Sequence, residues 1–311
     1  MSIDRVATSA QTAYFLSHIQ NAGRALDKTQ ESIASGKNAN TYAGFGDQAQ
    51  VLTATIAAQA RNTAYATATK FAVTQTDLQD TQLTSLSSLA AQLKKAVSDA
   101  VANNDGSTLM AQAQSIFDQA AAILNSKDAN GDYIYSGGKT DVAPVNVNSL
   151  EGLRTAPSTA SVFSNGDLKK SIQVADGVTV SYGIAASDIG SDLMDALRGI
   201  AASHNSAGFT AGLSSTQNDF LSGMIGTITN VATDLNAAAA ANGYVANRLS
   251  DSQTQQESMT TLYKGFVSNI QDTNMADAAT QLSLNQTQLQ AALQVTAGLH
   301  QLSLPNFLPN G

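Results

Sequence analysis

The residues that could do chemistry are few and stand apart. Three histidines, His18, His204 and His300, lie in three different segments, with no H-x-H or H-x-x-x-H pair. A zinc site takes its ligands from such close spacings, and a Ser-His-Asp site would need one of these imidazoles beside an activated serine. No G-x-S-x-G elbow surrounds any serine. "GGKT" (Gly137 to Thr140) carries the Gly-Lys-Thr of a phosphate loop but lacks the motif's first glycine and follows a turn-rich stretch, not a strand. "GFGDQ" (Gly44 to Gln48) holds two glycines of a dinucleotide fingerprint without the third. "DANGDY" (Asp128 to Tyr133) has the look of a calcium loop. Counted from Asp128, however, position six is Tyr133 and position twelve is Lys139, where Gly and Glu are needed. It reads as a turn. No catalytic, metal or cofactor constellation assembles, and the chain is read as a non-enzyme.

Composition narrows the classes further. Charged residues are 13% of the 311, against about 25% in an ordinary globular chain. Aromatic residues are 5% and tryptophan is absent. Such a chain builds long helices readily but has few large side chains for one thick interior. The net charge of −8, with lysines and arginines scattered, argues against nucleic acid, whose phosphates need clustered cations. Without cysteine there is neither a disulfide framework nor thiolate chemistry. The N-terminus "MSIDRVATSAQTAYFLSHIQ" shows no apolar core of a cleaved signal peptide, and no window approaches a membrane span. The expectation is a chain that is cytoplasmic, or leaves the cell by a route that removes no signal.

The functional signal lies in periodicity. From Val6 to about Ser35, Phe15, Ile19, Leu26 and Ile33 recur at helical spacing, the last three seven apart. Gly36, Gly44 and Gly46 then break the pattern, and Asp47 can restart it. A helix follows from about Gln48 to Val101 with no internal Gly or Pro. "NNDGS" (Asn103 to Ser107) turns the chain into an antiparallel helix with Leu109, Ile116 and Ile123 seven apart. Residues 134–186 read as β-rich. Val145 and Val147 alternate, and Asp176-Gly177 separates two alternating runs, a strong hairpin signal. Helical spacing returns near Ser191, pauses at the Gly-rich "HNSAGFTAG" (His204 to Gly212), and resumes through Leu235. "NAAAAANGY" (Asn236 to Tyr244) either continues that helix or bends it near Gly243. The spacing then runs to Ile270, breaks at "NIQDTNMADAA" (Asn269 to Ala279), and ends with Leu282, Leu289, Leu293, Leu299 and Leu302. The last nine residues hold two prolines and cannot be helical.

The expected fold is mainly α with a small β insertion, a long antiparallel coiled-coil rod built from both chain ends. The expected parts are a terminal coiled-coil domain (1–44 with 270–311), a helical rod (45–133 with 187–269) and a β-rich outer domain (134–186). Two slender terminal helices bury little surface alone. Their stripes, Phe15, Ile19, Leu26, Ile33, Leu282, Leu289, Leu293, Leu299 and Leu302, are expected to meet other copies of the chain. Gly36, Gly44 and Gly46 are the expected hinge.

"QESIASGKNANTYAGFGDQAQVL" (Gln30 to Leu52) resembles the N-terminal signature of the flagellin family, a helix ending in an Ile-Ser-Ser-Gly-Lys-like turn. "FVSNIQDTNMADAATQLSLNQTQLQAALQVTAGLHQLSL" (Phe266 to Leu304) resembles its C-terminal half, Ile-x-Asp-x-Asp-x-Ala followed by Gln-x-Gln-x-Leu-Gln-x-Ala. "DYIYSGGKTDVAPV" (Asp132 to Val145) is similar to a stretch of the family's hook–filament junction members. "TYAGFGD" departs from the family's Ser-x-x-Asp-Asp-Pro. The resemblance implies a structural subunit of the bacterial flagellum, extracellular and exported through the flagellar type III channel. Its partners would be copies of itself, a hook-side junction protein, flagellin and an export chaperone, with no cofactor, no nucleic acid and no membrane insertion. Two alternatives remain open, a flagellin forming the filament itself and a secreted helical adhesin or binding module.

Overall fold

The structure, a computed structural model, describes residues 3–303, with the side chains of residue 10 and residues 12–298. The proline-bearing ending lies outside the described residues. The helices are α1 (Ile3–Ser35), α2 (Gln48–Asn103), α3 (Leu109–Leu124), α4 (Leu150–Thr155), α5 (Ala186–Ala207), α6 (Ser215–Gln271) and α7 (Met275–Ser303). One hairpin, β1 (Lys170–Ala175) with β2 (Val178–Tyr182), completes the list, and short 3-10 turns stand at Tyr42–Phe45 and Thr159–Val162. The architecture is mainly α with a small β insertion. No described helix is long and apolar enough to cross a membrane. The chain divides into two units, residues 1–61 with 259–311 and residues 62–258.

Unit 2, residues 62–258, holds the main core. Leu83, Leu86, Leu93 and Val97 of α2, Leu109, Phe117 and Leu124 of α3, Leu193, Leu197 and Ile200 of α5, and Leu221, Ile228 and Leu235 of α6 form one apolar cluster. The steps within each set are three, four, seven or eight, so every helix turns a single stripe inward. α3 runs antiparallel to α2. The amide of Asp105 bonds back to the Ala100 carbonyl at one end (2.9 Å), and Gln82 Nε2 reaches Ser126 Oγ at the other (2.9 Å).

Residues 134–163 fold onto this core: Ile134, Tyr135, Val145, Leu150, Leu153 and Val162 are all part of the cluster. Their β character is slight. Val145 and Val147, expected to alternate along a strand, form none, and Val145 makes a single bridge to Phe163. The reason is local. Asn125 presents its side-chain amide to both polar groups of Val145: Oδ1 accepts from the Val145 N–H (2.8 Å) and Nδ2 donates to its carbonyl (3.0 Å). A single asparagine thus occupies the place a neighbouring strand would take, and Pro144 supplies no donor for a ladder. The hairpin itself forms as the Asp-Gly signal predicts, with Ile172 opposite Val180 and a bulge between Gln173 and Ala175. It docks on the helices through Val174, Val180 and Tyr182 against Ala72 and Leu249. Gln256 Nε2 fastens it, donating to the Val174 carbonyl (2.7 Å) and to Thr69 Oγ1 (3.0 Å).

Tyr135 is fully buried. Its phenol donates to Gln82 Oε1 (2.7 Å), its carbonyl accepts from the Ala186 amide (2.9 Å), and burial pushes its pKa above the ordinary tyrosine value. A raised folded pKa means that stability is intact below the unfolded value of about 10 and falls as pH rises beyond it. Tyr135→Phe is expected to cost about 1–2 kcal/mol in urea unfolding at neutral pH, because the Gln82 carbonyl oxygen loses its donor. It should also flatten the loss of stability above pH ~10.

Candidate functional site

The candidate site is the helical pair of unit 1. α1 packs against α7, and the pairing is antiparallel, since Lys37 bridges Asp272 while Asn285 bonds back to Ala25 and Thr29. Six of the nine residues expected on the stripe lie along the helix–helix seam. Phe15, Ile19, Leu26 and Ile33 on α1, and Leu282 and Leu289 on α7, are half-buried. Leu293 is exposed at 50%. The side chains of Leu299 and Leu302 lie outside the described residues. Among the described side chains of the two helices, only Ala278 and Asn285 are buried, at 7% and 8% exposure. Tyr14, Leu16, Leu284 and Val295 point outward with about half or more of their surface free. The pair therefore carries more apolar surface than its two members cover.

Asn285 is the residue that periodicity alone passes over. It stands three residues after Leu282 and four before Leu289, at a core position of the heptad. Its Nδ2 donates to Thr29 Oγ1 (2.9 Å) and to the Ala25 carbonyl (3.3 Å). Thr29 occupies the equivalent position of its own stripe, between Leu26 and Ile33. A polar pair inside an apolar seam fixes register, because any slip leaves a buried amide against hydrocarbon. The signal was present in the sequence as a polar residue in a leucine repeat.

Beside the pair, the two links between helices are stitched together. The Asn38 amide donates to the Gln271 carbonyl (2.8 Å) and the Thr273 amide to the Gly36 carbonyl (2.9 Å). Asn38 Nδ2 bonds the carbonyls of Ile270 and Asp272, both at 3.0 Å, and its Oδ1 accepts from Thr273 Oγ1 (3.2 Å). The connector is therefore two paired strands of chain, drawn from "SGKN" and "QDTN". The three glycines differ in role. Gly36 (φ +70) and Gly46 (φ +54) adopt left-handed backbone that favours glycine. Gly44 lies in the Tyr42–Phe45 turn, and a Cβ there would come within 2.5 Å of the Ala39 Cβ. Asn38→Ala removes three side-chain bonds from an exposed junction. It is expected to cost about 1–2 kcal/mol locally, read as faster hydrogen exchange at the Asn38 and Thr273 amides while unit 2 is unchanged.

The motifs weighed for chemistry are placed as follows. His18 packs edge-on against Tyr14, with ring centroids 4.4 Å apart, and the side chain of His300 is outside the described residues. His204 Nδ1 accepts the Phe209 amide (2.9 Å) where α5 ends. Asp128 closes its own turn, accepting the amides of Asn130 (2.8 Å) and Asp132 (3.2 Å). In "GGKT", Lys139 Nζ donates to the Ser164 carbonyl (3.1 Å), and a Cβ on Gly137 would strike the Gly166 backbone. Among the described residues no group of three or more acidic or histidine side chains could hold a metal ion.

Comparison with known proteins bears on the C-terminal member of this pair. Residues 225–308 match the bacterial flagellin C-terminal helical region. Flagellar hook-associated protein 3 of Salmonella typhimurium is 28% identical over 144 residues, 45% of this chain and 45% of that protein. The Escherichia coli protein of the same name is 29% identical over 133 residues, 40% of this chain and 41% of that one. The matched stretch thus spans less than half the length of these curated relatives. A solved structure from Vibrio parahaemolyticus superposes with a TM-score of 0.60 at 18% identity, over 72% of this chain and 97% of that one, a likeness of fold alone. With its C-terminal region matched to that of flagellin and its curated relatives both hook-associated protein 3, the chain resembles the flagellin family and, within it, the hook-associated protein 3 members.

Proposed function

We propose that this chain is a structural subunit of the bacterial flagellum that joins hook to filament, assembling with other copies through α1 and α7. The observation that carries the reading is the terminal pair. Its stripes are only half-buried, and Leu284, Leu293 and Val295 remain open on its outer faces. A two-helix pair in that state is marginal alone and gains stability from neighbours that cover the rest. The names of the curated relatives support the flagellar context.

In this reading the terminal segments, 1–44 with 270–311, form an inner layer. The helical rod, 45–133 with 187–269, and the outer segment, 134–186, are the other parts of the subunit. Gly36, Gly44 and Gly46 let the layers reorient. Its partners are copies of itself, the hook-side junction protein, flagellin and an export chaperone, and its location is extracellular, on the flagellum. A chain with this role acts by packing and needs no catalytic group. The flagellin match at residues 225–308 also supports a second reading, a flagellin that forms the filament itself.

Deletion of residues 1–40, or of 272–311, is expected to abolish assembly while unit 2 keeps its circular dichroism and melting transition. Assembly of either truncated chain would overturn the proposal. A tagged full-length copy on intact flagella separates the two readings. A single focus at the base of the filament marks a junction subunit, and label along the whole length marks a filament flagellin.

A further inference from the structure

Within unit 2 the buried face of α2 changes character twice. Ala72 belongs to the small apolar cluster that seats the hairpin, and Leu83 opens the large one. Between them the buried positions are Gln75, Thr76 and Gln79, at 5%, 0% and 0% exposure. α6 repeats the order in reverse, with Leu249 in the small cluster, Leu235 in the large one and buried Asn242 between them. Asn242 Nδ2 donates to the Thr76 carbonyl (2.8 Å), tying the two helices at this level. Neither amide end of Gln75 or of Gln79 has a hydrogen-bond partner among the described residues.

Two further features fall at the same level. A cleft of about 230 Å³ opens between β2 and α6, bordered by Tyr182, Ile184, Asn242 and Val245. Gly183, at φ +92, joins β2 to the segment leading into α5, so the hairpin leaves the large core through a residue free of side-chain restraint. A buried amide without a partner loses its hydration and gains nothing in return, and a cleft adds no dispersion contact. The belt therefore weakens the join between the two apolar clusters.

We propose that this polar belt is a parting line. The hairpin end of unit 2, seated on Ala72 and Leu249, opens as its own cooperative unit while the α3–α5 core stays closed. Local opening in such contiguous blocks is how native proteins distribute their stability. The device would give the molecule a soft, reversible step at a fixed place, independent of the flagellar reading.

Native-state hydrogen exchange on the full chain, followed across low denaturant concentrations, tests this. The ladder amides of Ile172 and Val180 should open about tenfold or more often than those of Leu197 and Phe117, with a shallower denaturant dependence. Gln75→Met together with Gln79→Met keeps side-chain length and removes the stranded amides, and should narrow that gap about tenfold. Asn242→Ala should widen it. A single opening rate and slope for hairpin and core in the unaltered chain would overturn the proposal. So would a methionine pair that leaves the gap as it was. If the methionine pair does not fold, the unaltered chain and Asn242→Ala still decide between the outcomes.

Discussion

Two helices laid side by side can cover only one stripe of each other. That geometric limit shapes unit 1. α1 and α7 have few large residues, and what apolar surface they have is spread around more than one face. The seam takes Ile19, Leu26, Ile33, Leu282 and Leu289 to half-burial, and the remaining surface has nowhere to go within the pair. A wider helix bundle would have closed over it, as the four core helices of unit 2 do over Leu193 and Leu86. The contrast between a closed core and an open pair, within one chain, is the physical basis for reading the ends as the assembling part.

The second theme is the neutral amide. With charged residues at 13%, this chain draws many of its connecting bonds from Asn and Gln. Asn38 stitches the connector, Asn125 replaces a strand, Asn285 sets the helix register, Gln82 anchors Tyr135 and Gln256 holds the hairpin. An amide both donates and accepts, so one side chain can satisfy a backbone N–H and C=O at once. Such bonds carry no net charge and are not screened by salt. The exposed pairs Lys95–Asp99 and Arg154–Glu151 are local to single helices and add little.

Much of this was legible in advance. The long helices α2, α6 and α7, the turn at Asn104–Asp105 and the Asp176-Gly177 hairpin all follow from apolar spacing and turn chemistry. So does the terminal stripe, because a heptad pattern is visible without any knowledge of what it faces. The pairing of Asn38 with Gln271 and Thr273 was legible only as two breaks in matching places; the bonds join residues more than 230 apart. Val145 and Val147 misled because alternation reports half-burial, not a ladder, and Asn125 could take the strand's place unseen. The fate of residues 134–163, folded onto α3 and α5, depended on tertiary contacts that no local pattern encodes.

The antiparallel seam also joins two helices that lie far apart along the chain. Thr29 waits for Asn285, and Gly36 for Thr273. On a ribosome, α1 emerges with its partner hundreds of codons away, and an isolated helix of its kind is barely stable in water. Closing so large a loop is slow compared with the local pairings of α2, α3 and α5. The α1–α7 seam closes late for that reason, and without α7 the apolar stripe of α1 is left uncovered.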